Sequence, residues 1–280
     1  LNNSANFKAL GALSNHIDVA HSQQEARNKL HFEQQTDSVV NEQRRAILAT
    51  VASESSDIVD VRRLSQSAML FANLDSDTSG RCYGITNAAA VALESGGIKA
   101  LEQLFVNMDN TANNPLSKNA FLFKDSLASL QESAETDYEA RTDSDKQATH
   151  TLDQVKQNLD SAADAGQTTS FEFATRDHMM QVSVVVENGV KSYLFVDSNG
   201  IYFKSSTSNG LTASIAKYFT SLNDSKLPNY GVNTPANHKF EFKKQDTKTL
   251  GSLPIGDTLL RPADLSSAYR LSRLLNERTL

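Results

Sequence analysis

Residues 178–200 read HMMQVSVVVENGVKSYLFVDSNG, and this stretch decides the fold. Apolar and polar side chains alternate with a period of two on either side of Asn188-Gly189, which predicts two strands joined by a two-residue turn. The same period marks further strands at 171–173, 201–204 and 240–242. An antiparallel sheet is therefore predicted in the second half of the chain.

The hairpin also brings together two side chains that carry chemistry. With a two-residue turn, Glu187 faces Val190 and Met180 faces Asp197. Because side chains alternate across a strand, His178 lies on the same face as Met180 and diagonal to Asp197. Diagonal neighbours are about 7–8 Å apart, within reach of a side-chain hydrogen bond. Asp197 would then orient the His178 imidazole and leave its other nitrogen to act as a base.

Helical periodicity dominates the first half of the chain. Apolar residues recur at spacings of three and four near the N-terminus and again at Ile58, Val61 and Leu64. Further helices are predicted over 82–95, 98–108, 123–130, 152–159, 211–222 and 265–275, with a polar, exposed segment over 131–151. Helices followed by an antiparallel sheet indicate an α+β fold. We divide the chain into a helical N-terminal region, 1–74, and an α+β domain, 75–280.

Composition and charge exclude several classes of protein. The net charge is −6 and no basic stripe is present, which argues against nucleic acid as a partner. No apolar run approaches the roughly 20 residues needed to cross a bilayer. The first residues, 1–4, form no secretory signal and lack an initiator Met, so we expect a piece excised from a longer protein. The single cysteine excludes an internal disulfide and a cysteine-rich zinc site.

Cys82 is predicted to stand at the start of a helix. Small polar residues precede it, and the apolar stripe of a helix follows it over 85–93. A helix N-terminus stabilises a thiolate, its N–H groups stabilise an oxyanion, and Arg81 adds a full positive charge. We therefore predict a nucleophile, with the Cys82 N–H and the Asn73 side chain as candidate oxyanion donors. The alternative is a buried, inert cysteine.

Other candidate site residues show weaker patterns. His238 opens a late strand and is the alternative base, whereas the remaining histidines lie in polar stretches, at 16, 21, 31 and 150. The segment 75–80 matches the first half of a calcium-binding EF-hand loop, but the twelfth position, which needs a glutamate, is Thr86. We therefore predict neither a metal nor a small-molecule cofactor. Residues 198–200 read as a hairpin turn after Asp197, and the alternative is that Asn199 also lends a hydrogen bond to the site.

Three short motifs resemble those of the YopT-like cysteine peptidases of bacterial effectors and toxins. They are Gly80-Arg81-Cys82-Tyr83-Gly84, Asp177-His178-Met179-Met180 and Phe195-Val196-Asp197-Ser198-Asn199-Gly200. In that family a cysteine at a helix start is followed by a histidine at a strand start and an aspartate after an apolar strand. Arg81-Cys82-Tyr83 is similar to the RCD/Y motif of the MCF branch, which includes DmX-like effector modules of MARTX toxins. The resemblance implies a papain-like fold, in which the helix that carries Cys82 packs on the antiparallel sheet.

The resemblance also implies an activity and a partner. It implies a cysteine endopeptidase with Cys82, His178 and Asp197 as its triad, and with Arg81 and Tyr83 as motif residues. MCF-like effectors bind host ADP-ribosylation factor (ARF) GTPases, which stimulate self-cleavage near the effector's N-terminus, and they disturb the Golgi. We therefore expect secretion within a larger bacterial toxin, action in the host cytosol at the Golgi, and peripheral membrane association through the partner.

Two other functions remain open. The same triad would also serve deamidation or acyl transfer, since a Cys-His-Asp site passes an acyl group to other acceptors. Alternatively, the domain is a GTPase-binding module and its site is vestigial. The absence of tryptophan departs from the family pattern. The bulky Met179-Met180 after His178 departs from it too, so we expect a different specificity pocket.

Overall fold

The computed structural model describes residues 42–64, 81–113, 118–142, 146–175, 177–225 and 227–247. Those from Arg44 onward belong to one compact unit. Several predicted features lie outside the described residues: Asn73, the calcium-like segment 75–80, the histidines at 16, 21 and 31, and the helix 265–275. The predicted domain boundary at residue 74 also falls there and stays a prediction. No helix among the described residues has the length and apolar character that a bilayer crossing requires.

Helices and strands follow each other in an α+β order. The helices are α1 (42–54), α2 (Cys82–Asn113), α3 (Lys118–Ala140), α4 (Leu152–Asp164) and α5 (Ser208–Ser225). The strands are β1 (Ile58–Arg63), β2 (Thr169–Thr175), β3 (His178–Glu187), β4 (Val190–Asp197), β5 (Ile201–Ser205) and β6 (Glu241–Lys244). They form one sheet in the order β1-β5-β4-β3-β2-β6, with every neighbouring pair antiparallel. The predicted fold class is confirmed.

The β3–β4 hairpin has the predicted register. Glu187 pairs with Val190, and the ladder continues to Gln181 opposite Val196. The two turn residues between the strands, Asn188 and Gly189, have φ values of 52° and 78°. Positive φ at both positions is what a type I′ turn requires, and its twist matches that of the flanking strands.

Helices cover both faces of the sheet. On one face, α1, α4 and α5 enclose an apolar core that contains Phe173, Phe195 and Phe203. On the other face, α2 and α3 pack over Leu194 and Val196. The helix that begins with Cys82 thus packs on the antiparallel sheet, as predicted.

Two secondary-structure predictions were wrong. The segment with Ile58 and Val61 is the edge strand β1, not a helix, because a short apolar run fits either period and β-branched residues favour a strand. The segment after Leu130 is not an exposed loop at its start, since α3 continues to Ala140. Glutamate and alanine are strong helix formers, and the side chains of Gln131 and Ala134 are buried on one face of this part of α3.

Candidate active site

Cys82 is the first residue of α2 and is half-buried. The first helical hydrogen bond of α2 runs from the Ile85 N–H to the Arg81 carbonyl at 2.9 Å. The thiol therefore lies at the positive end of the helix dipole. Its predicted position at a helix start is confirmed.

The environment of Cys82 favours the thiolate. The thiol is hydrogen-bonded to His178, and the backbone N–H groups of Met179 and Tyr83 donate to it. Burial raises the pKa of the thiol, but these hydrogen bonds and the charge of His178 outweigh burial, so the pKa of Cys82 lies below its ordinary value. A structural cysteine in an apolar core has the opposite shift.

His178 links the thiol to a carboxylate. Its Nε2 donates to Asp197 Oδ1 at 2.7 Å, which is the diagonal contact that the hairpin register predicted. Because Nε2 is occupied, Nδ1 is the nitrogen left for Cys82. Burial lowers the pKa of His178, but the charge and hydrogen bond of Asp197 and the interaction with Cys82 raise it to about 9.

Asp197 is wholly buried at the end of β4 and accepts hydrogen bonds from three donors. Besides His178, the Asn199 N–H donates to Oδ1 at 2.8 Å, and the Tyr218 hydroxyl donates to Oδ2 at 2.6 Å. Burial raises the pKa of Asp197, yet the charge of His178 and these donors hold the pKa below its ordinary value. The carboxylate therefore stays ionised in the core.

Sequence reasoning missed Tyr218, which reaches the site from the middle of α5. Its approach depends on Gly200, because a Cβ at that position would lie 2.3 Å from the Tyr218 hydroxyl. The turn after Asp197 therefore does more than reverse the chain: it supplies the Asn199 N–H and leaves space for Tyr218. The one signal in the sequence was a tyrosine beside the apolar stripe of a buried helix, since a buried hydroxyl needs a partner.

Tyr230 is the second residue that sequence reasoning missed. Its ring stacks on the His178 imidazole, with centroids 4.0 Å apart and an interplanar angle of 18°. Its side chain is hydrogen-bonded to Asn199. Asn199 therefore contributes to the site, with its backbone to Asp197 and its side chain to Tyr230. No local pattern points to Tyr230, which lies in an irregular segment between α5 and β6.

The first turn of α2 is held by α3. The Gly84 N–H donates to Gln131 Oε1 at 2.9 Å in a buried contact. A Cβ on Gly84 would lie 2.7 Å from the Leu127 carbonyl oxygen, so only glycine permits this close approach of the two helices. The Tyr83 N–H points to the thiol and the Gly84 N–H to Gln131, so within the described part of the chain the Cys82 N–H is the first-turn donor available to an oxyanion.

The motif residue Tyr83 belongs to an aromatic and charged cluster beside Cys82. Its ring packs edge-on against Tyr138 with centroids 5.6 Å apart, and the Tyr138 hydroxyl donates to Glu241. Next to it, Arg141 forms two hydrogen bonds to Glu172, of 2.6 and 2.8 Å. The other motif residue, Arg81, is half-buried directly before α2.

The alternative base lies in different surroundings. His238 packs edge-on against Phe240 with ring centroids 4.8 Å apart, and burial lowers its pKa. His178 is the histidine that the structure brings to Cys82. Within the described residues, no cluster of three or more His, Cys, Asp or Glu side chains has the arrangement of a metal site.

The fold is that of cysteine protease-like toxin domains. A matching solved structure is PatoxP, a cysteine protease-like domain of the Photorhabdus asymbiotica toxin PaTox, with a TM-score of 0.52 and 14% identity over 81% of this chain and 69% of that one. The chain belongs to the Mcf1 protease effector domain family, whose model matches residues 2–277. The predicted family is thereby confirmed. No curated protein was found to be similar to the chain.

Proposed function

We propose that the chain is a toxin effector cysteine endopeptidase in which Cys82 is the nucleophile, His178 the proton carrier and Asp197 the residue that orients the imidazole. The observation that carries this proposal is that the His178 ring interacts with both of the other groups. One ring nitrogen of His178 is bonded to Asp197 at 2.7 Å, and the same ring is hydrogen-bonded to the Cys82 thiol. Membership of a family of protease effector domains supports the reaction class.

The opposite pKa shifts favour an ion pair at rest. The pKa of Cys82 lies below its ordinary value and that of His178 rises to about 9. Transfer of the proton from the thiol to the imidazole is therefore favoured, which gives a thiolate and an imidazolium. Asp197 stabilises the imidazolium and directs its second N–H to the sulfur.

Catalysis then proceeds through an acyl-enzyme. The thiolate forms a C–S bond to the scissile carbonyl, and the carbonyl electron pair moves to its oxygen, next to the Cys82 N–H at the helix N-terminus. As the tetrahedral intermediate collapses, the C–N bond breaks and imidazolium Nδ1–H gives its proton to the leaving amine. Water then attacks the thioester carbon while neutral His178 accepts a proton from it. The C–S bond breaks, the carboxylic acid leaves, and the thiolate and imidazolium are restored. The Asn73 side chain is proposed as the second oxyanion donor.

The substrate and partner are proposed from the family resemblance. We propose that the domain is delivered within a larger secreted bacterial toxin and acts in the host cytosol at the Golgi. There a host ARF GTPase would stimulate cleavage of the chain near its own N-terminus and would bring the domain to the membrane surface. The activator is thus a protein, and no small-molecule cofactor takes part.

The experiment incubates the purified chain with and without GTP-loaded ARF and then determines its N-terminus and mass. We expect a shortened chain only when ARF is present, and no shortening for Cys82→Ala or His178→Ala. His238→Ala is the matched control and should be processed like the wild type. Processing of Cys82→Ala at the wild-type rate would refute the thiol mechanism.

The same measurement separates the alternative functions. Conversion of a glutamine in ARF to glutamate without cleavage of either chain would identify a deamidase with the same triad. ARF binding by both the wild type and Cys82→Ala, with identical cellular effects and no covalent change, would identify a binding module. Either result would overturn the proposed peptidase.

A further inference from the structure

We propose that Tyr230 is a positioning residue that fixes the plane of the His178 ring and excludes water from the His178–Asp197 hydrogen bond. This inference rests on the proposed function. Both nitrogens on the edge of the imidazole are occupied, one by Asp197 and the other by Cys82. Further restraint of the ring must therefore come from contacts with its faces. The Tyr230 ring covers one face, with the two ring centroids 4.0 Å apart.

Tyr230 is itself held over His178. Its side chain is hydrogen-bonded to Asn199, the residue whose backbone binds Asp197. Its φ of 54° lies in the left-handed region, which is uncommon for a bulky aromatic residue and needs support from its surroundings. That support comes from the adjacent turn, in which the Gly231 N–H donates to the Asn229 side chain at 3.1 Å and Asn223 Nδ2 donates to the Val232 carbonyl at 3.1 Å.

A cavity next to Tyr230 would otherwise bring water to the His178–Asp197 hydrogen bond. A space of about 230 Å³ lies against Tyr230 and is also lined by Tyr218, Asn199, Gly200 and Arg44. This volume admits water, and shortening the Tyr230 side chain would extend the cavity to the imidazole. Water beside the His178–Asp197 bond would weaken its electrostatic attraction, because charges interact more strongly in a low dielectric.

The stack also favours the protonated ring. The face of a tyrosine ring carries partial negative charge and attracts a cation that lies over it. Loss of the Tyr230 ring therefore removes a direct stabilisation of the His178 imidazolium. It also lets water reach the hydrogen bond between His178 and Asp197. Both effects lower the pH at which His178 loses its proton, and the thiolate–imidazolium pair then exists over a narrower pH range.

The test measures alkylation of Cys82 by iodoacetate as a function of pH. The chain has one cysteine, so the reaction reports on this thiol alone. Iodoacetate is an anion, and it reacts fastest when Cys82 is a thiolate and His178 an imidazolium, which gives a bell-shaped profile. We expect the alkaline limb of Tyr230→Leu to move roughly one pH unit toward neutrality, while Tyr230→Phe keeps the wild-type profile.

Two further variants separate the ring from other effects. Tyr230→Gly suits the positive φ but lacks the ring, so it should behave like Tyr230→Leu. Phe242→Leu removes an aromatic ring that packs on His150, with centroids 5.0 Å apart, and should leave the profile unchanged. A wild-type alkaline limb in Tyr230→Leu and Tyr230→Gly would overturn the inference and leave the proposed function intact.

A measurement on the wild-type protein covers the case in which the variants do not fold. Protons of a histidine ring stacked on tyrosine resonate upfield, and the His178 signals are assigned by their loss in His178→Ala. An upfield signal that titrates with the alkaline limb of the alkylation profile supports the stack, and an unshifted one overturns it. A wild-type profile without a bell shape would refute the ion pair, and with it both proposals.

Discussion

The Tyr218 hydroxyl donates a 2.6 Å hydrogen bond to Asp197 Oδ2, on the carboxylate oxygen that His178 does not use. A buried carboxylate is costly unless its lone pairs are satisfied, and this bond comes from α5, on the face of the sheet opposite α2. Asp197 is therefore held by a residue of the helix layer that contains α5, whereas Cys82 lies on α2, in the helix layer on the other face of the sheet. The proposed active site holds together only when both layers pack on the sheet.

Replacement of Tyr218 by Phe should weaken both stability and reactivity. The variant keeps the aromatic packing but leaves one oxygen of a buried carboxylate without its donor, which costs about 1–3 kcal/mol. Urea unfolding at pH 7 measures this loss, and the alkylation rate of Cys82 should fall because Asp197 orients His178 less firmly. Tyr193→Phe, at another buried tyrosine on the same side of the sheet, is the control. Equal free energies of unfolding for the wild type and Tyr218→Phe would show that the hydroxyl contributes nothing.

Asp197→Asn should change how stability depends on pH. The pKa of folded His178 is raised to about 9, above its unfolded value of roughly 6.5. The resulting stabilisation is fully present below pH 6.5 and is lost as the pH rises through 9. With asparagine, the charge of residue 197 no longer raises the pKa of His178, so burial lowers that pKa relative to the wild type. The stability advantage of the wild type over Asp197→Asn should therefore be largest near pH 6 and shrink by pH 9.5.

Chemical denaturation at several pH values gives this difference directly. Asp164→Asn is the control, because Asp164 forms an exposed ion pair with Lys191 and should give a small, nearly constant difference over the same range. An advantage over Asp197→Asn that grows toward pH 9.5 would contradict the raised pKa of His178.

Local sequence rules predicted the pairing of His178 with Asp197 but not the residues that surround the pair. The Asn188-Gly189 turn determines the register of two adjacent strands, so the contact follows from geometry within one hairpin. Tyr218 reaches the site through the rotation of a helix, and its place beside an apolar stripe shows only that its hydroxyl needs a partner, not which one. Tyr230 reaches the site through the path of an irregular segment and has no local pattern. The edge strand β1 was mistaken for a helix because its pairing partner, β5, is distant along the chain.

Gln131→Ala should destabilise the first turn of α2. The Gly84 N–H is buried and donates to the Gln131 side chain. In the variant this buried donor has no acceptor, and an unsatisfied buried donor costs about 1–3 kcal/mol of stability. Because Cys82 lies two residues away, we also expect slower alkylation of its thiol. Thermal unfolding and the iodoacetate reaction measure the two effects. Gln157→Ala, at an exposed position of α4, is the matched control and should change neither.

Arg141 and Glu172 form a largely buried ion pair beside the Tyr83–Tyr138 contact, with side chains 7% and 13% exposed. Removing one partner leaves the other as an uncompensated charge, so Arg141→Ala should cost about 3–5 kcal/mol. Burial raises the pKa of Glu241 nearby, and loss of the arginine charge would raise it further. Urea unfolding measures the loss.

The double variant Arg141→Ala/Glu172→Ala tests whether the cost comes from an unpaired charge or from lost packing. If it is the charge, the double variant should be more stable than Arg141→Ala alone, because no buried carboxylate remains without a partner. If the two losses simply add, the pair contributes through packing of the arginine stem on Tyr138, over whose ring its guanidinium lies at 5.2 Å. We expect the double variant to recover part of the stability that Arg141→Ala loses. The Glu172 carboxylate is largely buried and forms two short hydrogen bonds to Arg141, so it is costly to leave unpaired.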